Sequence, residues 1–321
     1  MKLFPKSKGS GLLYLLATFI FTTANSSAAG NLLPDIEILD TGVYPESVTS
    51  SGDGTVFAGS VKGNVYRAEA GSDQATVWIR PTAENGILAI LGVLADDTSD
   101  TLWLCSVPNF FGPERSQGVS SLIAFDLKTG RHKASYPFPP PASTCNDITI
   151  ATDGTAFVSD TSNGRIFTLA PGADELKFYG EDKSLVGIDG LAFNSDGILY
   201  VNNVRSNQIL RVETNVDGSM NGLTSLTLSH ELGGPDGFRL IDGNRFLQAE
   251  GTIGRLSIVT IEGDNASLTV LDDTLVSTPG ATPVGNTAYV LESNIQYLLN
   301  PDLRGKQPDA FMIFAREIPT D

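Results

Sequence analysis

Apolar and polar residues alternate along this chain in short runs, and each run breaks at a turn. The clearest breaks are Asp53-Gly54, Asp153-Gly154, Asp196-Gly197 and Asp242-Gly243, each flanked by β-branched or aromatic residues. Asp-Gly between two alternating runs is a hairpin signal, because the turn needs a residue that tolerates positive φ. A polar lead residue precedes each turn: Glu46, Asn146, Asp189 and Asp236, at separations of 7, 7, 7 and 6 from the turn Asp. Weaker copies run from Ala89 through Asp96-Asp97 to Leu104, and from Pro279-Gly280 through Gly285-Asn286 to Leu291. The leads near 46, 89, 146, 189, 236 and 280 are spaced by about 47 residues, a repeat period of propeller length.

Two more short strands follow each hairpin, as in 164–169 with 175–179, and 208–212 with 223–228. Four short strands per repeat and no long helical period predict an all-β fold, a six-bladed β-propeller. The segments 35–39 and 310–315 are expected to share the last blade and close the ring, which leaves no open sheet edge. In such a disk the Asp-Gly turns mark one face. Glu46, Asn146, Asp189 and Asp236 then converge at the opposite mouth of the central channel. Three carboxylates held together need a cation or shared protons. Hard oxygen donors suit Ca²⁺, or Mg²⁺ or Mn²⁺. The same mouth is expected to gather Phe110, Asn203, Glu250 and Glu292 as pocket residues. Tyr44, Trp103, Arg205 and His230 are expected as its walls and donors, and the loop 110–117 as a segment beside it.

Composition narrows the function. The 321 residues are 41% hydrophobic, enough for a large core. A net charge of −16 disfavours nucleic acid and anionic membrane surfaces as partners, leaving a small-molecule substrate. Lys2, Lys6 and Lys8, an apolar run over 11–21 and the small residues of 24–30 form a secretory signal pattern. The expected organisation is a signal peptide over 1–29 and one propeller domain over 30–321, exported to the extracellular side. In that compartment Cys105 and Cys145 are expected to pair, and Asn265-Ala266-Ser267 is a glycosylation sequon. No Gly-x-Ser-x-Gly elbow, phosphate loop or Cys/His zinc pattern is present.

Pro45-Glu46, Asn146-Asp147, Asp189-Gly190-Leu191 and Pro235-Asp236-Gly237 together resemble the gluconolactonase/senescence-marker family of six-bladed propellers, related to strictosidine synthases. That resemblance implies a divalent metal held at Glu46, Asn146, Asp189 and Asp236, with Asp236 as base in lactone hydrolysis. Asp189 stands where the family has Asn, an added charge. In overall likeness the chain also resembles a secreted fungal branch, the hetero-Diels–Alderases of tropolone–sesquiterpenoid biosynthesis. That likeness implies a cofactor-independent cyclase that joins an o-quinone methide to an alkene in a shaped pocket. Three functions are therefore carried forward: the cyclase first, the metal-dependent lactonase or esterase second, and a non-catalytic ligand-binding propeller third.

Overall fold

Each predicted Asp-Gly break is a hairpin turn in the computed structural model, which describes residues 1–3, 32–111, 115–303 and 305–320. Gly154, for example, takes φ +85°, a conformation an L side chain rarely adopts. The signal peptide expected over 1–29 lies almost wholly outside the described residues. Among these residues no helix is long and apolar enough to cross a membrane.

The strands of 32–320 form six antiparallel four-stranded blades. Their innermost strands are Pro45–Ser50, Ala89–Asp96, Cys145–Ile150, Ile188–Phe193, Pro235–Asp242 and Ala281–Val284. Closure follows the expected route. The N-terminal strand Ile36–Ile38 pairs antiparallel with the C-terminal strand Phe311–Glu317 and is the outermost strand of blade 6. It also pairs in parallel with Gln74–Ile79, the outer strand of blade 1, so the two blades share one continuous eight-stranded sheet. Blade 5 gains a fifth strand, because Thr227–Leu228 from the preceding connection adds in parallel to Asn265–Asp272. Asn265 of the sequon is exposed at the start of that strand.

The core lies between blades. Phe57 and Val65 of blade 1 pack with Ile90, Val93 and Leu102 of blade 2, all at most 1% exposed. Blade 5 contributes Phe238 stacked on Phe246 at 4.6 Å. The inner strands approach one another so closely that a side chain would not fit at some positions. A Cβ on Gly190 would lie 2.6 Å from the Asp236 carbonyl oxygen of the next blade. The glycine after the lead residue is therefore a packing requirement.

Cys105, on the second strand of blade 2, is bonded to Cys145, which opens the inner strand of blade 3. Both are fully buried, and the bridge closes a loop with a sequence separation of 40. Replacing both by Ser is expected to lower stability by about 2–4 kcal/mol, from the regained freedom of that loop in the unfolded chain. The midpoint of denaturant unfolding reads the loss, and an unchanged midpoint would rule out a stabilising bridge.

Candidate functional site

The lead residues do not sit in regular strand pairing. In blades 1 to 5 the register between first and second strand slips at the lead position. Pro45 pairs with Ser60 but Ser47 with Gly59, so Glu46 is an extra residue. The slip recurs across Cys145/Ile148, Ile188/Leu191 and Pro235/Phe238, which brackets Asn146, Asp189 and Asp236. A β-bulge of this kind breaks the in–out alternation and re-aims its side chain. Here it turns the lead residues toward the axis. In blade 2 the bulged residue is apolar, Leu91.

Polar side chains on the second strands hold the bulges. Ser159 Oγ donates to the Asp189 carbonyl at 2.9 Å. Asn202 Oδ1 accepts from the Gly190 amide at 2.8 Å, and its Nδ2 donates to the Asp236 carbonyl. Gln248 Oε1 accepts from Asn202 Nδ2 at 3.0 Å. Each of these three residues is fully buried, so they set the geometry without reaching a ligand.

Asn146 Nδ2 donates to Asp189 Oδ2 at 2.8 Å and to Thr161 Oγ1 at 2.9 Å. The Asp236 carboxyl lies against that of Asp189, and each acts on the other's proton affinity. Burial, then the charge of Asp147, pushes Asp189 up to about 7. Burial, then the neighbouring Asp189, holds Asp236 well above the ordinary carboxylate range. Glu46 is raised in the same way by burial and by Asp236, Asp189 and Asp147. A low-polarity setting and like charges both favour the neutral acid.

Asp189 lies beneath the other two, 7% exposed. Glu46 and Asp236 open on a cavity of about 360 Å³ at the mouth. Its walls are mostly carbon, from Phe111, Val204, Val276, Pro279, Ile295 and Leu299. Ile295 and Leu299 belong to the insert between the second and third strands of blade 6, which carries the short helix Gln296–Leu299. Sequence reasoning missed this insert, whose apolar residues follow no strand or long helix period.

Below the acids the axis is filled by an ion pair that the repeat did not reveal. Arg239 clasps Asp147 with two bonds, Nη1 to Oδ2 at 2.6 Å and Nη2 to Oδ1 at 2.7 Å. Its Nη2 also donates to the Val93 carbonyl at 3.3 Å. Arg239 is 8% and Asp147 4% exposed. On its other side Arg239 borders cavities at the Asp-Gly face. The pair thus stands between that face and the acid floor.

Several expected pocket residues stand elsewhere. Asn203 and Glu250 occupy equivalent positions at the ends of second strands, where each accepts backbone amides of adjoining loops. Asn203 Oδ1 accepts from the Arg205 and Ser206 amides. Glu250 is paired with Arg255 at 2.6 Å and accepts from the Gly233 amide. Glu292 Oε1 accepts from the Val276 amide behind the cavity wall. Trp103 lines a separate cavity with Tyr136, Asp153 and Gly154, at the Asp-Gly face. His230 borders a third cavity with Asn207 and Gln208. Arg205 is exposed on a turn, its stem against Gly187. Tyr44 packs edge-on against Phe311 at 5.4 Å and does not line the mouth. Phe110 is 43% exposed and packs at a tilt against Phe111 at 4.4 Å, and Phe111 is the ring that faces the cavity. Of the loop 110–117, residues 112–114 lie outside the described residues.

Replacing Asp189 by Asn is expected to keep the Asn146 bond and remove the buried charge. A carboxyl raised to about 7 is bound more tightly to its proton in the folded chain than in the unfolded one. Its contribution therefore holds at low pH and is lost as pH climbs from about 4 to 7. At pH 8 the variant should be more stable by about 1–3 kcal/mol, and at pH 4 nearly unchanged. Thermal melts of the chelator-treated proteins at the two pH values check this. Equal shifts at both would exclude the charge as the cause.

Comparison with known proteins agrees with this geometry at the level of the fold. Residues 28–68 match the family model "Strictosidine synthase-like, N-terminal". No curated protein matches the chain in sequence. Among solved structures, the chain is similar to a gluconolactonase from Xanthomonas campestris, with TM-score 0.63 and 15% identity over 87% of this chain and 88% of that one. It is also similar to regucalcin, a calcium-binding protein from Agrobacterium tumefaciens, with TM-score 0.61 and 15% identity over 90% and 98%. A luciferin-regenerating enzyme superposes with TM-score 0.65 and 11% identity over 88% and 93%. The chain is accordingly a six-bladed β-propeller of gluconolactonase and regucalcin type in fold, with strictosidine synthase-like similarity in its first blade.

Proposed function

We propose that the protein is a small-molecule enzyme that works at the channel mouth as a lactone or ester hydrolase. One observation carries this reading: Glu46, Asp189 and Asp236 stand together under a mostly apolar cavity, and burial and mutual repulsion raise the proton affinity of all three. A general acid–base group works best when its pKa lies near the operating pH. Asp236 opens on the cavity with the Asp189 carboxyl against it. Once deprotonated, Asp236 takes a proton from a water that attacks the bound carbonyl carbon. The new C–O bond forms as the carbonyl electron pair moves onto oxygen. When that pair returns, the bond to the ring or alcohol oxygen breaks, and Asp236 gives its proton to the leaving oxygen. Glu46 borders the same space, and its proton can meet the carbonyl oxygen.

Three carboxylates and an amide are also the donor chemistry of a hard divalent cation. Among the described residues no three acidic, histidine or cysteine side chains already form a ligand cluster. Glu46, Asn146, Asp189 and Asp236 are the residues that would hold Ca²⁺, Mg²⁺ or Mn²⁺, which would polarise the substrate carbonyl. Because the ligands must first lose protons, uptake is expected to release protons and to weaken as pH falls from 8 to 5. Calorimetry with Ca²⁺ in buffers of different ionisation enthalpy tests this, and a pH-independent affinity at the mouth would exclude these ligands.

The function test offers lactones and aryl esters to the purified protein, with Ca²⁺ and with chelator. Turnover that is lost in Asp236→Asn supports hydrolysis. The cavity walls favour one second reading. A protonated carboxyl facing an apolar space can donate to a carbonyl oxygen while the walls align two partners, which is what a hetero-Diels–Alder cyclisation needs. That activity would survive chelation and appear with a quinone methide precursor and an alkene, without ester turnover. The leader pattern at 1–29, together with the Cys105–Cys145 bridge, also supports export, and the mass of the mature N-terminus from the native host tests it.

A further inference from the structure

Four of the exposed large apolar side chains stand at or beside the mouth cavity. Val276 and Leu299 line the mouth cavity and are 58% and 59% exposed. Phe110, 43% exposed, packs at a tilt against the cavity-lining Phe111. Ile253, 47% exposed, follows the cavity-lining Thr252. These four come from three separate places: the loop after the second strand of blade 2, the turn in blade 5, and the entrance and insert of blade 6. Single exposed apolar residues need no explanation, but several around one opening mark a binding surface.

The cavity inside the collar has the same character. Among the described residues its lining contains no Lys, Arg or His, so none of them offers an anionic ligand a positive charge. Besides the two acids, its polar side chains Thr252, Ser277, Ser293, Gln296 and Asn300 are neutral, and the Ser277 and Ser293 hydroxyls bond each other at 3.0 Å. Gln296 lines the wall, and its Oε1 is buried without a partner. Such an unpaired acceptor costs free energy until a ligand donor arrives. A polyhydroxylated ligand would set many of its hydroxyls against the carbon of Phe111, Val204, Val276, Pro279, Ile295 and Leu299.

We infer that the substrate is a neutral, predominantly apolar molecule, held by the collar of Phe110, Ile253, Val276 and Leu299 and contacted by Gln296. The inference names the substrate class of the reaction proposed above and rests on that site being the reacting one. Its binding part can be tested without turnover.

The experiment uses the full-length protein and three probes: the neutral fluorophore N-phenyl-1-naphthylamine, a γ-lactone series from four to twelve carbons, and gluconolactone. The fluorophore should bind and be displaced by the long lactones. Lactone affinity should rise by up to about fourfold per methylene until the cavity is filled. Leu299→Asp, on an exposed position outside the core, should weaken both ligands by about tenfold. Gln296→Leu should weaken a hydroxylated long-chain lactone more than its unsubstituted parent. Affinity that is flat with chain length, or gluconolactone binding more tightly than the apolar series, would overturn the inference. Chain-length-dependent binding with no turnover of any lactone leaves the substrate class standing and rejects hydrolysis instead.

Discussion

Arg239→Met is expected to lower folding stability by about 3–5 kcal/mol, because it leaves a buried carboxylate without its partner. Asp147 is 4% exposed, and both its oxygens are bonded to the guanidinium. Removing the cation also frees the Val93 carbonyl and withdraws a positive charge that acts on Asp189. Three blades lose a shared contact at once, since Val93, Asp147 and Arg239 come from blades 2, 3 and 5. The double variant Asp147→Leu, Arg239→Met removes both charges and should recover much of the loss. Urea titrations of the two single variants and the double variant form the cycle. A single-variant loss below about 1 kcal/mol would show that water reaches the pair and screens it.

Asp236→Asn is expected to reduce turnover by at least about 100-fold while the fold remains, the usual scale for a lost general acid–base group. The amide preserves the shape but cannot accept the proton of the attacking water. It can still donate to Asp189, so the variant should melt at or above the wild-type temperature at pH 8. This combination separates a chemical role from a structural one. Glu46→Gln should act in the same direction, and the pH–rate profile of the wild type should report the coupled acids as a group rather than any one carboxyl. Full activity in Asp236→Asn would remove the acid cluster from the mechanism and leave the cavity as a binding site.

Much of this protein is legible in its chain. The Asp-Gly turns and the period of about 47 residues are local signals, and local signals suffice for a propeller because each blade is built from consecutive strands. Glu46, Asn146, Asp189 and Asp236 stand out for the same reason, as they recur at one phase of the repeat. Their convergence follows from the symmetry of a ring. The Cys105–Cys145 bridge was expected from compartment chemistry, and neighbouring blades bring the two sulfurs together.

The rest required the folded ring. Asn203 and Glu250 share the repeat phase of Asp160, and all three accept backbone amides of adjoining loops; polarity alone does not distinguish such an acceptor from a ligand. Trp103 and His230 look like catalytic residues by type, but the fold places Trp103 at the Asp-Gly face and His230 in a loop beside a separate cavity. Arg239 follows Asp236 by three residues and belongs to an ordinary alternating run, so nothing local marks it as the residue that closes the channel. Its partner is 92 residues away, and only the packing of the inner strands brings the two into contact. The bulges are the deepest such case. Alternation predicts which face a strand residue occupies, whereas a one-residue slip in register reverses it. The chain alone determined the ring and the chemistry of its acids. Tertiary pairing decided where those acids point, which groups surround them and what walls stand above, because those depend on contacts between blades far apart in sequence.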